Sequence, residues 1–263
     1  MDLGLKDRVA IVTGSSRGIG KAIAYGLARE GAMITVCARN EDLVKKTAEE
    51  VGCLTGTEVL PVKVDLSKGE EIKHMVNVTV RKFGKVDILV NNTGGPPSKL
   101  FTETLEKDWN EAVDLLLISV VNCCMEVIPY MKENRWGRII NMASFAAKQP
   151  AERLILSNAI RAGVLGLTKT LANELAEYGI LVNSVCPGWT LTGRVMELAR
   201  SIADKTGKTS DEVISEWASS IPLKRLAQPE EIADMVVFLA SERASYVTGA
   251  VIQVDGGFIK SLI

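Results

Sequence analysis

The chain has 263 residues, 47% hydrophobic and 24% charged, a balance that fits a folded globular protein with a substantial core and excludes an intrinsically disordered one. Its formal net charge of −1 gives no general attraction to nucleic acid or to an anionic membrane, so neither is expected as a partner. Five cysteines (Cys37, Cys53, Cys123, Cys124, Cys186) without a CxxC pair, and His74 as the one histidine, leave no basis for a histidine-rich metal site and point to reduced core thiols in a cytoplasmic protein. Short apolar runs rich in Val and Ile predict strands at 10–13, 33–37, 58–64, 87–91, 137–142, 181–186 and 251–254. Between them, helical patterns cover 18–29, 41–51, 68–83, 107–132, 156–178 and 229–240. The longest apolar stretch, 115–121, lies between Asp114 and Asn122 and is too short to cross a bilayer, and no charged leader precedes an apolar segment.

Continuously apolar strands are expected where a sheet is covered on both faces, and the strand–helix alternation predicts right-handed crossovers between parallel strands. The expected fold is therefore α/β: one domain over 1–263, a Rossmann-type doubly wound parallel sheet of about seven strands with helices on both faces. One connection is unusual. Residues 192–224 are longer and more polar than an ordinary link and contain two amphipathic helix patterns, 195–205 and 210–220, separated by Thr206-Gly207-Lys208. A segment of that kind after a strand's carboxyl end reads as a helical substrate lid; an ordinary surface excursion is the alternative.

Thr13-Gly14-Ser15-Ser16-Arg17-Gly18-Ile19-Gly20 joins the first strand to the first helix. A strand, a glycine turn and a helix N-terminus make a phosphate cradle, because the helix end offers unpaired N–H groups and a partial positive charge while glycine lets a pyrophosphate approach the backbone. The loop predicts dinucleotide binding without saying what chemistry follows.

With further motifs at matching spacing, the whole chain resembles the short-chain dehydrogenase/reductase family, nearest to its 3-oxoacyl-(acyl carrier protein) reductase type. The motifs are the 13–20 loop, Asp65-Leu66, Asn91-Asn92-Thr93-Gly94, Gly137-Arg138-Ile139 leading to Ser144, Val182-Asn183, Pro187-Gly188 and Val254-Asp255-Gly256-Gly257. The resemblance implies a nicotinamide cofactor, a small-molecule substrate and a homotetramer or homodimer. It implies that Gly14, Ser16, Arg17, Gly18, Ile19 and Gly20 hold the pyrophosphate side, with Asp65 and Leu66 at the adenine. Asn92, Thr93 and Gly94 then line the cleft, and Pro187, Gly188, Thr190 and Thr192 lie at the nicotinamide carboxamide. Physical alternatives stand beside these roles: Asp65 could cap the following helix, and Gly95-Pro96-Pro97 reads as a simple turn.

The end of the second strand decides between NAD and NADP, because the adenosine ribose lies against it. An acidic residue there would bond both ribose hydroxyls and repel a 2′-phosphate. The chain has Ala38 at that position and Arg39 after it, with Arg17 inside the glycine loop. Two guanidiniums facing one phosphate favour NADP(H) over NAD(H).

The catalytic positions depart from the family's Asn-Ser-Tyr-Lys set. Ser144 stands at the serine position, seven residues after Gly137; Ser157, thirteen further on, at the tyrosine; and Arg161, four beyond it, at the lysine. Leu116, seven after Trp109, occupies the asparagine position. The segment Gly163-Val164-Leu165-Gly166-Leu167-Thr168-Lys169 fits the family helix without a gap, and none of Tyr25, Tyr130, Tyr178 and Tyr246 falls where it could substitute. A positioned general acid contributes about 10²–10⁴-fold, which the hydroxyl of Ser157 cannot supply directly. Arg161 remains able to bind ribose hydroxyls and to stabilise an oxyanion, but donates protons poorly. Lys148 and Glu152 are candidate replacement acids; as ordinary loop charges they need no role. Two readings follow: an NADP(H)-dependent reductase or dehydrogenase with a non-standard proton donor, or an NADP(H)-binding protein without ordinary reductase activity that acts as a sensor, a scaffold or in a different reaction.

Overall fold

The structure, a computed structural model, describes residues 2–262. Its strands are β1 (Val9–Val12), β2 (Met33–Ala38), β3 (Val59–Lys63), β4 (Ile88–Asn91), β5 (Gly137–Met142), β6 (Ile180–Pro187) and β7 (Val251–Val254). They form one all-parallel sheet in the order β3-β2-β1-β4-β5-β6-β7. The strand order reverses at β1 and β4, and that switch point opens a crevice outside the carboxyl ends of the strands.

The covering helices are α1 (Gly18–Arg29), α2 (Glu41–Thr55), α3 (Gly69–Phe83), α4 (Glu106–Val113), α5 (Ser119–Glu133), α6 (Ile155–Leu175), α7 (Gly193–Thr206), α8 (Ser210–Ser220) and α9 (Pro229–Ala240). Side chains alternate across each strand, so neighbours serve different cores. Ile88 and Val90 of β4 face Ile23 and Leu27 of α1 and Val236 of α9, whereas Leu89 joins Ile72 and Met75 of α3 and Val127 of α5 on the other face. Burying each such side chain contributes about 1.5–3 kcal/mol, which explains strands apolar at every position rather than every second one.

Several sequence expectations shift. Helix α2 continues past the expected end at 51 to Thr55, stopping where Gly56 takes φ 73°; Cys53 consequently lies on an exposed helical face and is not a core thiol. The single helix expected over 107–132 is three pieces, because a π turn at Asp114–Ile118 separates α4 from α5. The whole run Glu106–Glu133, 28 residues, is long and apolar enough by length and composition to cross a membrane, which the shorter run 115–121 did not suggest. In this fold α5 packs on α3, the π turn and α4 pack on α6, and the run carries Asp108, Glu111, Asp114 and Glu126. Residues 92–98 form neither a turn nor a regular element; two consecutive prolines fix φ and push the residue before each toward extended backbone.

Candidate active site

The glycine loop follows β1 and is built almost entirely from backbone contacts. Gly14 takes φ 57°, and a Cβ there would stand 2.6 Å from Asn92 O. A Cβ on Gly20 would meet Gly14 O at 2.4 Å and Asn92 Nδ2 at 2.7 Å, so α1 can approach the loop only with glycine at this position. Asn92 braces the loop from β4: its side-chain amide donates to Thr13 O at 3.2 Å and Gly14 O at 3.1 Å, and its N–H donates to Thr13 Oγ1 at 2.8 Å. Ser15 N donates to Cys37 O at 3.0 Å, and the Ser16 carbonyl accepts from Thr47 Oγ1 at 3.0 Å, fastening the loop to β2 and α2. Arg17 caps α1 with extended backbone and no side-chain bond to the helix, leaving the first-turn N–H groups available to an anion. The cradle thus fits a pyrophosphate. Ile19 packs against the core beneath.

Arg17 and Arg39 follow the ends of the adjacent strands β1 and β2. Arg39 is exposed and has no ion pair among the described residues, while Arg17 lies 3.7 Å from Glu197 of α7. Asp65 accepts hydrogen bonds from Ser67 N at 3.1 Å and Ser67 Oγ at 2.8 Å, so it closes a local turn. The N-cap residue of α3 is Lys68, which corrects the capping alternative. Burial pushes the Asp65 carboxyl upward, but the Ser67 hydrogen bonds and the Arg39 and Lys68 charges outweigh it and hold its pKa below the usual value. Leu66 is buried in the core.

Ser144 stands two residues past the end of β5 and caps the 3-10 turn Phe145–Ala147, its Oγ accepting from Ala146 N at 3.1 Å. Ser157 and Arg161 share one face of α6 and are 7% and 8% exposed. Ser157 Oγ finds no hydrogen-bond partner among the described residues. Arg161 Nη1 donates to Met142 O at 2.8 Å and Ala143 O at 3.1 Å, and Nη2 to Gly94 O at 3.4 Å. The guanidinium therefore clips the end of β5 to the loop after β4, immediately beside Ser144. Burial pushes its pKa down to about 10, so it stays charged at neutral pH. Leu116, 1% exposed, sits in the π turn within an apolar cluster with Ala112, Leu156 and Ile160. The side chain at that position is apolar and packed as core. Lys148 is half-buried at the end of the 3-10 turn and Glu152 is exposed.

Beyond β6, Gly188 N donates to Val254 O at 2.9 Å, Thr190 Oγ1 donates to Gly188 O at 3.0 Å, and Thr192 Oγ1 accepts from Val195 N at 3.3 Å as the N-cap of α7. Both threonine hydroxyls thus have local partners. α7 then passes close to the cleft: Thr192 Cγ2 lies 3.3 Å from where a Gly18 Cβ would be, and Arg194 Nη2 donates to Pro96 O at 2.7 Å. Trp217 of α8 stacks on Trp189 at 4.2 Å and 3°, Trp189 meets Phe145 at 5.1 Å, and Phe145 meets Phe258 at 5.0 Å. This aromatic ladder connects α8 to the residue after Ser144. Sequence reasoning missed it, as it missed Arg194 and Glu197; the signal was Trp189 directly after Pro187-Gly188. Two open clefts, around Lys6, Gly31 and Glu58 and around Glu41, Val62 and His74, lie away from this face, the first at the amino ends of the strands.

The fold, the switch-point crevice and the glycine cradle define the class as a dinucleotide-binding α/β protein. The family model described as enoyl-(acyl carrier protein) reductase matches residues 14–259. Relatives include the 3-oxoacyl-[acyl-carrier-protein] reductase FabG of Staphylococcus epidermidis, 39% identical over 252 residues that cover 95% of this chain and 98% of the relative. The FabG of Aquifex aeolicus is 36% identical over 257 residues, covering 98% and 99%. Among solved structures, L-sorbose reductase from Gluconobacter frateurii, complexed with NADPH and L-sorbose, superposes with a TM-score of 0.95 at 37% identity over 100% of both chains. An actinorhodin polyketide ketoreductase variant with NADPH reaches 0.93 at 35% identity over 97% and 98%. The chain belongs to the short-chain dehydrogenase/reductase family, a family of oxidoreductases.

Proposed function

We propose that the chain is an NADP(H)-dependent oxidoreductase that interconverts a carbonyl and an alcohol with a proton donor other than tyrosine. The observation that carries this reading is Ser144 at the carboxyl end of β5, its Oγ held by Ala146 N–H, on the same sheet edge as the glycine cradle. NADP(H) over NAD(H) is supported by Ala38 and Arg39 after β2, by Arg17 in the loop, and by the NADPH in the structures of L-sorbose reductase and the polyketide ketoreductase.

When bound, the nicotinamide supplies or accepts the hydride. Ser144 Oγ accepts from Ala146 N–H, so its own proton is free to bond the substrate oxygen. Arg161, fixed by three carbonyls and still charged, stabilises negative charge growing on that oxygen. Its fixed charge makes it a poor donor, and Ser157 leaves the space of a phenol open beside it. Water in that space delivers the proton. The two helices within 192–224 act as the lid, with Arg194 on Pro96 O and Trp217 on Trp189 as its contacts in the closed position. The protein works as a homodimer or homotetramer in the cytoplasm. Exposed Leu105, Ile118 and Met125 along α4, the π turn and α5 support the assembly, and free cysteines support the compartment.

A second reading is an NADP(H)-binding protein without ordinary turnover. Two observations favour it: Arg161 donors that the lysine position would direct at the ribose are bonded to main-chain carbonyls, and Leu116 is sealed in apolar packing. Fluorescence titration of NADPH followed by a screen of ketones and alcohols separates the two. The first reading expects turnover that Ser144→Ala lowers about 10²–10³-fold, the effect of removing one positioned donor. Tight NADPH binding with no turnover across substrate classes would leave the second.

A further inference from the structure

Arg17 reaches from the glycine loop onto the lid. Its Nη1 lies 3.9 Å from where a Cβ on Gly193 would stand, so the guanidinium rests against the first residue of α7. One turn further on, the Glu197 carboxylate is 3.7 Å from the same nitrogen. Residues i and i+4 share a helix face, and the missing side chain at 193 leaves Arg17 a path to the acid at 197. No other Asp or Glu oxygen lies within 4.0 Å of the Arg17 guanidinium among the described residues. The start of α7 sits directly on the loop, with Thr192 Cγ2 beside Gly18.

With a 2′-phosphate bound, Arg17 would have two claimants. At 3.7 Å the Arg17–Glu197 pair is longer than a hydrogen bond and both side chains are exposed, so charge alone holds it and it separates at small cost. A phosphate ester carries about −1.5 to −2 charges at neutral pH and makes short, charge-assisted bonds to a guanidinium, while a carboxylate beside it repels it. A ribose hydroxyl carries no charge and leaves the pair as it is. Glu197 therefore opposes a 2′-phosphate and is indifferent to a 2′-hydroxyl. The other tie of α7 across the cleft, Arg194 Nη2 on Pro96 O at 2.7 Å, uses neither Arg17 nor Arg39.

We propose that Glu197 is a specificity-determining residue carried by the lid: it competes with the 2′-phosphate for Arg17 and so holds down the preference for NADP(H) over NAD(H). The assignment rests on the NADP(H) reading, with Arg17 at the phosphate. The coupling is reciprocal, so the phosphate weakens this tie of α7 to the glycine loop by the same factor that Glu197 weakens phosphate binding.

The test is a set of dissociation constants for NADPH and NADH, from fluorescence titration at about 0.05 M salt, where exposed charges are least screened. The proteins are the wild type, Glu197→Gln, Glu197→Lys, Arg17→Gln and the double variant Arg17→Gln/Glu197→Gln, with circular dichroism as the check on folding. Glu197→Gln is expected to tighten NADPH about 3-fold, the size of an exposed ion pair, and to leave NADH unchanged. Glu197→Lys, which adds a cation, tightens NADPH about 10-fold. Most of the Glu197→Gln gain disappears in the Arg17→Gln background, because the two residues act on one another. An NADPH-to-NADH ratio unmoved in both Glu197 variants, an equal gain for NADH, or a full gain without Arg17 overturns the proposal. Binding of 2′,5′-ADP against 5′-AMP tests the NADP(H) reading by itself. If 2′,5′-ADP binds no tighter in the wild type and in Glu197→Gln, that reading falls. If it binds tighter while the Glu197 variants change nothing, the reading stands and the role of Glu197 falls.

Discussion

At the β1–β2 end of the sheet's carboxyl edge, the family's nucleotide cradle is kept, and its geometry shows why it resists change. At the β5–β6 end stand Ser144, Ser157, Arg161 and Leu116, at the positions where the resemblance implies Ser, Tyr, Lys and Asn. The cradle depends on backbone clearance: Gly20 has a carbonyl 2.4 Å from where a Cβ would lie, and the Asn92 and Thr47 side chains bond main-chain carbonyls of the loop. A substitution there displaces the whole loop. The catalytic end depends on side-chain chemistry mounted on a rigid helix and strand, and such positions can be refilled without moving the backbone. Leu116 is packed as core, and Arg161 finds carbonyls that a lysine's single nitrogen could not bridge in the same planar way. The two ends of one sheet edge therefore differ in what holds them, backbone clearance at one and side-chain packing and hydrogen bonding at the other.

The comparison breaks most sharply at Gly20. Gly20→Ala is expected to weaken NADPH binding about 100-fold, roughly 3 kcal/mol of overpacking against fixed backbone, in a fluorescence titration. An unchanged dissociation constant would mean that the loop is not the cradle. Next in size, Ser157→Tyr combined with Arg161→Lys should raise ketone reduction about 10-fold, below the 10²–10⁴-fold of a well-placed acid because Leu116 leaves the relay position apolar. Comparable in size on the nucleotide side, Arg39→Asp should move the NADPH-to-NADH preference about 10-fold toward NADH. A ratio that stays constant removes Arg39 from the phosphate site.

The smallest effect is in the pH profile. Arg161 has a folded pKa of about 10 and is protonated below it, so turnover that uses its charge is expected to be level through neutral pH and to fall as pH rises through about 10. The stability consequence has the opposite sign. The folded value is depressed below the ordinary guanidinium value, so the buried charge costs stability below about 10 and that cost is relieved as pH rises above it. Activity already declining near neutral pH would point to a titrating donor elsewhere.

Much of this arrangement was legible in the sequence because its signals are local. The strands at 137–142 and 251–254 and the helices at 18–29, 210–220 and 229–240 have the same bounds in the structure, since apolar periodicity and capping residues lie within the elements themselves. The π turn at Asp114–Ile118 was not legible: its residues have an ordinary helical pattern, and only packing against α6 distinguishes them. Gly95-Pro96-Pro97 reads as a turn from its composition, yet no turn forms there, and Pro96 O is held by Arg194, 98 residues away.

By itself the sequence determined the doubly wound fold and the glycine loop, because strand periodicity, turn residues and spacing are properties of neighbours along the chain. Tertiary structure decided what Arg161 and Leu116 touch. That Arg161 spends three of its donors on Met142, Ala143 and Gly94 and that Leu116 is sealed depend on residues brought together from different elements. Hydrogen-bond partners and counter-charges are set by what the fold places within a few ångströms, and residues distant in sequence carry no local mark of that meeting.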